Sequence, residues 1–283
     1  MKISIILPTK NEYIVNFFLY VHKNELDRED VEVIVVSNFD NLKTIYKNKI
    51  LLIKDLYMNG NVMGHVQGVE KSSGDIVVTM CDDLLLNPGF IDNILKLFST
   101  HTSNKLFYGI QTPYVIPIMN KCFYAWFPVV SRSVIEEIGH YSKDFKSHFA
   151  DLDYSLRAKH NNIDVRPAPG IKATSLPTEW IRRIDVTKDI NFSNDFVTFK
   201  NKHKLSGSTR ELLYEVTIDN YKAGLINREN SITYSVDNHY DVYKSRFILL
   251  KKIFNYPFNK IWFLTKLYRY FIFKYHSRKE NYL

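Results

Sequence analysis

The chain has only two cysteines in 283 residues, Cys81 and Cys122. One pair builds no disulfide framework, and no Cys-x-x-Cys spacing points to zinc. A reducing, cytoplasmic setting is therefore expected. Glycine is also scarce, at ten residues. No Gly-x-Gly-x-x-Gly follows any β-rich run, which removes the dinucleotide-binding dehydrogenases. Long apolar runs are missing too. The first, Ile-Ser-Ile-Ile-Leu at 3–7, meets Pro8 and is too short for a signal-peptide core. No other stretch is long and charge-free enough to span a bilayer. The expectation is a protein neither secreted nor threaded through a membrane.

Acidic residues are absent from one interval, 242–279, which holds ten lysines and arginines. The whole chain carries a formal charge of +8, so the remainder has a net charge of −2. The basic character belongs to the tail. A near-neutral body argues against nucleic acid as a partner, because such a body would need its own basic face. The apolar fraction of 45% and charged fraction of 24% are those of a folded domain.

What is present is an alternation. Short β-rich runs at 3–7, 31–36, 50–53 and 76–80 are separated by helical spacing at 13–26 and 62–71, and a helix follows at 90–98. This β-α-β-α order predicts an α/β fold with a mostly parallel sheet flanked by helices. Runs such as Val33-Ile34-Val35-Val36 suit strands buried on both faces. A further helix is predicted over 151–160, and 180–240 is polar and irregular, with Ser206-Gly207-Ser208 a candidate linker. Two parts are expected: a catalytic domain over 1–205 and a carboxy-terminal extension over 206–283.

Ligands of such sheets gather beyond the carboxyl ends of the strands. Three polar clusters stand there: Pro8-Thr9-Lys10-Asn11-Glu12, Ser37-Asn38-Phe39-Asp40 and Cys81-Asp82-Asp83. Adjacent carboxylates repel unless a positive charge sits nearby. A divalent cation with oxygen ligands would relieve Asp82-Asp83 and bridge a pyrophosphate; a turn or helix cap uses aspartate equally well. Asp151 and Asp153 open the later helix. Asp153 is placed to pair with Arg157 at i, i+4, whereas Asp151 can project into a cleft as a general base.

These segments carry a resemblance. Ile3-Ser-Ile-Ile-Leu-Pro-Thr-Lys-Asn-Glu12 looks like the opening of family 2 glycosyltransferases, which have the GT-A fold. Gly68-Val-Glu-Lys-Ser-Ser-Gly74-Asp75, the strand after it and Cys81-Asp82-Asp83 are similar to that family's approach to its DXD motif. His148-Phe-Ala-Asp151-Leu-Asp153-Tyr-Ser-Leu-Arg157 resembles its Glu-Asp-x-Asp-x-x-x-Arg helix. Order and separation agree over residues 1–170. The resemblance implies a GT-A-like, Rossmann-type sheet, to which the tail adds a helical carboxy-terminal extension, and an inverting transfer from a nucleoside-diphosphate sugar to a glycan or lipid-linked acceptor. It implies Mn2+ or Mg2+ as cofactor. By the same resemblance Pro8, Thr9, Asn11 and Glu12 line the nucleotide pocket, with Asn38 and Asp40 near the base. Asp83 is the metal ligand, and Asp82 shares the metal or reaches the ribose. The resemblance also implies Asp151 as the catalytic base.

The chain departs from the family pattern at four places. Cys81 replaces the first DXD aspartate, Ser37-Asn38 the acidic pair after the second strand, and Ala150 the glutamate before the base. His65 replaces an arginine; it is assigned to the donor phosphates, with a helix-surface histidine as the alternative. No later histidine clearly completes a metal site, His148, His160 and His203 being the choices. These departures keep a catalytically degenerate, nucleotide- or carbohydrate-binding relative as the alternative. A sugar nucleotidyltransferase would need a glycine-rich loop after the first strand, and 8–12 has no glycine. Among the aromatics before the Asp151 helix, Tyr114, Phe123, Tyr124, Trp126 and Phe127, core packing is the ordinary fate. Trp126 is the one assigned to an acceptor pocket.

The tail over 260–275 fits an amphipathic helix. Ile261, Leu264, Tyr268, Phe271 and Ile272 share one face, while Lys266, Arg269 and Lys274 fall on the other half. This pattern suits an anionic membrane surface and peripheral attachment at the inner face of the membrane. Docking on the catalytic domain or on a second copy is the alternative.

Overall fold

The computed structural model describes residues 1–40, 42, 50–57, 60–101, 103–111, 118–119, 122–175 and 187–205, with backbone only at 118–119, 122–123, 175 and 187–190. Tyr114, the expected 205/206 domain boundary and the basic tail lie outside the described residues.

The elements run β1 (Ile3–Pro8), α1 (Glu12–Val21), α2 (Lys23–Leu26), β2 (Val31–Ser37), β3 (Ile50–Lys54), α3 (Asn61–Lys71), β4 (Ile76–Thr79), β5 (Leu84–Leu86), α4 (Phe90–Ser99), β6 (Phe107–Gln111), β7 (Ile118–Met119), β8 (Cys122–Phe123), β9 (Pro128–Ser131), α5 (Arg132–Ile138), α6 (Ala150–His160), β10 (Val165–Ser175) and α7 (Thr187–His203). Eight strands form one sheet in the order β3-β2-β1-β4-β9-β6-β10-β5. The four strands at the β3 end are mutually parallel. β9 runs antiparallel to both β4 and β6, and β5 antiparallel to β10. The sheet is thus the expected α/β arrangement with a parallel half and a mixed half.

Parallel pairing decides where the chemistry goes. Ile3 registers with Val31 on one side of β1 and with Ile76 on the other. The carboxyl ends of β1, β2 and β4 therefore emerge at one rim, and β3 joins them through Ser37↔Lys54.

Alternate residues of the strands feed two cores. Ile3, Ile5, Leu7, Val33, Val35 and Val78 face α1 and α4 through Phe18, Leu19, Phe90 and Ile94. Ile6, Ile34, Val36 and Val77 face α3, α5, α6 and α7 through Val66, Val134, Leu152 and Phe199. Period-two alternation with both faces covered explains the unbroken apolar runs. Helix α3 comes close to β1 because it presents glycine: a Cβ at Gly68 would lie 2.3 Å from Ile6 Cγ2, and one at Gly64 2.7 Å from Pro8 Cβ.

Two expectations are corrected. The helix read over 13–26 breaks at His22 into α1 and α2. The His22 ring is buried, and its Nε2 accepts the Leu86 amide at 3.2 Å. Burial pushes its pKa down to about 4, so the ring serves as a neutral acceptor. The second correction is α7, a 17-residue helix inside a segment read as irregular. Phe192, Phe196 and Phe199 follow helical spacing, but the polar residues between them hide the stripe.

Candidate active site

The rim is built by loops that cross-link. Thr9 follows β1, and its backbone amide donates to Val36 O at 2.9 Å. Its hydroxyl donates to the carboxylate of Asp82, in the turn after β4. The Thr9 Oγ1 also accepts the Asn11 amide at 3.1 Å. Asn11 caps α1: its Oδ1 accepts the amides of Tyr13 at 3.0 Å and Ile14 at 3.2 Å. That cap fixes where the chain leaves the rim.

Burial raises the carboxyl of Asp82 to about 7, with the Asp83 charge adding to the rise and the Thr9 hydroxyl opposing it. Asp83 shares the turn and is half-buried. Two adjacent carboxylates in a poorly solvated turn fit a hard divalent cation that fills its other positions with water and phosphate oxygens. Among the described residues no three His, Cys, Asp or Glu side chains converge on one point, so Asp82 and Asp83 would be the protein's contribution to such a site.

Beside this rim lies an open cleft. It is lined by Cys81 from the end of β4, Tyr124, Trp126 and Phe127 before β9, His65 of α3, Tyr141, and residues 147–152 leading into α6. Asp151 stands in the first turn of α6. Burial pushes its carboxyl up to about 7, partly offset by the Leu152 amide, which donates to Oδ1 at 2.9 Å. The Asp151 charge in turn helps burial raise the phenols of Tyr124 and Tyr141. A carboxyl titrating near neutrality in a cleft is suited to accept a proton.

Trp126 is 43% exposed and stacks on Phe127, with ring centroids 5.6 Å apart at 6°. An exposed indole face in a cleft is a platform for an apolar sugar face. Ser155 sets this platform beside Asp151. Its hydroxyl donates to the Asp151 carbonyl at 2.8 Å and accepts the Ala125 amide at 3.0 Å.

Asp153 is a structural residue. Burial raises its carboxyl, but the His203 hydrogen bond and the Arg157 charge outweigh burial and hold it below the usual carboxylate range. Arg157 Nε donates to Asp153 Oδ2 at 2.8 Å, and His203 Nε2 lies 3.0 Å from Oδ1. His203, one choice for a metal ligand, is therefore engaged in tying α7 to α6.

The structure brings Asp151, Trp126 and His65 into one cleft and sets Thr9, Asn11, Asp82 and Asp83 at the adjoining rim. Pro8 ends β1 and Glu12 opens α1. Asn38 is half-buried and Asp40 exposed beyond β2, and neither lines the cleft. His65 is not a surface histidine. It is buried edge-on against Tyr141 at 5.4 Å, and burial lowers its pKa to about 3. A neutral imidazole brings hydrogen bonding rather than positive charge. Motif reading missed Tyr141 and Phe192 as cleft residues, while His148, one choice for a metal ligand, lines the cleft. They come from separate parts of the chain, and no spacing links them.

The comparisons with known proteins bear on the fold. Residues 4–112 match the sequence model of glycosyl transferase family 2. No curated protein sequence matches the chain. Among solved structures, it is similar to the mannosyltransferase PcManGT from Pyrobaculum calidifontis in complex with GDP-Man and Mn2+. The TM-score is 0.55 at 17% identity, over 73% of this chain and 65% of that one. It is similar to glucosyl-3-phosphoglycerate synthase from Mycobacterium tuberculosis in complex with phosphoglyceric acid, at TM-score 0.52 and 13% identity, over 73% and 81%. It is also similar to TarS of S. aureus, at TM-score 0.50 and 16% identity, over 78% and 46%. The chain thus spans less than two thirds of the mannosyltransferase and under half of TarS. Identities this low show a shared fold, and function must be argued from the site.

Proposed function

Starting from a GT-A fold whose residues 4–112 match glycosyl transferase family 2, we propose that the protein moves a sugar from a nucleoside-diphosphate sugar to a hydroxyl of a glycan or lipid-linked acceptor, with inversion. The observation that supports this most is the placement of Asp151, with its carboxyl raised to about 7, in one cleft with Trp126 and Cys81. Asp82 and Asp83 follow Cys81 directly in the turn hydrogen-bonded to Thr9.

The acceptor sugar lies on Trp126 with its hydroxyl toward Asp151. The carboxylate takes the hydroxyl proton as the oxygen bonds to the anomeric carbon. The bond from that carbon to the diphosphate breaks on the opposite face, and its electron pair leaves with the nucleoside diphosphate. A divalent cation held by Asp83 and Asp82, Mn2+ or Mg2+, would supply charge stabilisation to the departing diphosphate. Thr9, Asn11 and Glu12 border the nucleotide.

Thermal-shift measurement with nucleoside diphosphates, with and without manganese, tests the donor half. Stabilisation by at least one of them, enhanced by the metal, is expected; none with any nucleotide would sink the proposal. Nucleotide binding without donor turnover would point instead to the degenerate relative.

The extension over 206–283, with ten lysines and arginines between 242 and 279 and an amphipathic sequence pattern over 260–275, is proposed as a separate part that holds the enzyme on anionic lipid, where acceptors for cell-surface polysaccharide or glycoconjugate synthesis reside. Deleting 244–283 should abolish sedimentation with anionic vesicles. Unchanged sedimentation would refute this attachment.

A further inference from the structure

Asp195 lies in the middle of α7 and is 2% exposed. Its carboxylate accepts three consecutive backbone amides: Lys146 at 3.1 Å to Oδ1 and 3.2 Å to Oδ2, Ser147 at 2.8 Å and His148 at 2.8 Å to Oδ2. Successive amides that converge in this way form a concave donor nest, the kind of backbone geometry that binds anions. Here the anion is the protein's own side chain, brought from 47–49 residues away.

The nest sits at the entrance to α6. Phe149 follows it with φ +63°, a left-handed conformation in a residue other than glycine, and α6 has no side-chain cap. A bulky residue holds that conformation only when its surroundings enforce it. Helix α7 does so from both sides. Asp195 grips the backbone just before Phe149, and Phe192, Phe196 and Phe199 pack on the Phe149 ring at 5.2, 5.4 and 5.4 Å. The Lys146 carbonyl completes the arrangement by accepting the Val62 amide at 3.1 Å, which closes the start of α3. Residues 147–151 then form one wall of the cleft.

We propose that Asp195 is a positioning residue for the transfer reaction: by filling the 146–148 amide nest it sets the path of the chain into α6 and so aims the carboxyl of Asp151 at the acceptor. The inference rests on Asp151 being the base. The chemistry calls for a carboxylate. An asparagine oxygen in the Oδ2 position can keep Ser147 and His148, but its NH2 then stands where Oδ1 accepted the Lys146 amide and confronts that N–H. Helix α7 has an independent tie to α6 through His203 and Lys202 at Asp153, so removing the Asp195 carboxylate need not undock the helix.

The test uses the full-length chain with Asp195→Asn and Asp195→Ala. It reads steady-state transfer, amide hydrogen exchange, and rescue by formate, which can enter the emptied nest of the alanine variant. A displaced base costs kcat on the order of 10–100-fold, while donor KM should move by less than about twofold because the donor rim is built on other strands. Protection at the Lys146, Ser147 and His148 amides should fall in Asp195→Ala, and at Lys146 above all in Asp195→Asn. Formate should restore part of kcat in Asp195→Ala and leave the wild type unchanged. Unchanged kcat with the three amides deprotected would overturn the inference. So would parallel loss of kcat, donor affinity and thermal stability with no formate rescue, the mark of a merely structural residue. Asp151→Asn separates the two levels. If it retains activity, the base assignment fails and this inference with it; if it abolishes activity while the Asp195 variants keep theirs, only this inference fails.

Discussion

The hydroxyl of Thr9 donates to the carboxylate of Asp82 across 73 residues of sequence. This bond joins the loops after two adjacent parallel strands, β1 and β4. It ties the rim together, and there burial and the neighbouring Asp83 both work against charge on Asp82 while Thr9 favours it.

Thr9→Val keeps the shape and removes the donor. A hydrogen bond to a charged group is worth about 1.5–3 kcal/mol, so donor KM should rise by roughly tenfold or more, with a smaller change in kcat. Steady-state kinetics at varied donor concentration checks this. An unchanged donor KM would show that the Thr9–Asp82 bond does not shape the nucleotide site.

Asp151 makes activity and stability respond oppositely to pH. Its carboxyl is raised by burial from 3.8 to about 7 in the folded protein. As a base it must be ionised, so kcat/KM should fall tenfold per pH unit below about 7 and level off above. For stability, the folded state holds the proton more tightly than the unfolded one, so this residue's contribution declines as pH rises from about 4 to about 7. Asp151→Asn should therefore melt higher than wild type at pH 7, by at most about 4 kcal/mol at about 1.4 per pKa unit. That advantage should vanish near pH 4. A melting difference independent of pH would contradict the buried, proton-retaining carboxyl.

Gly68→Ala tests the approach of α3 to β1. Alanine favours a helix over glycine by about 1 kcal/mol. Against this, the new methyl carbon would stand 2.3 Å from Ile6 Cγ2, and Ile6 belongs to a strand held on both sides by β2 and β4. Overpacking of about 1–3 kcal/mol outweighs the helix gain, so the variant should unfold at lower denaturant. A midpoint at or above that of wild type would mean that the helix can move away.

The sequence by itself determined the four parallel strands β1–β4 and their rim; β5, β6, β9 and β10, the mixed half of the sheet, were not read from it. Uninterrupted Val33–Val36 and Ile76–Thr79 runs suit strands covered on both faces, and the polar residues that end them then lie at the carboxyl edge of a parallel sheet. The same local logic placed Asp153 with Arg157, since i, i+4 pairing is a property of one helix. What tertiary structure alone decided was which distant segments meet. His65 went to the buried side of α3, where burial keeps it neutral, because Gly64 and Gly68 let that face sit on β1 and the cleft floor. Trp126 met Asp151 through the hydroxyl of Ser155. Asp195, an unremarkable acid in a polar stretch, became the anion of an amide nest 47–49 residues earlier. Such contacts have no signature in spacing. A carboxylate's partners are chosen by the packing of its helix, and that packing is settled only when the two cores close.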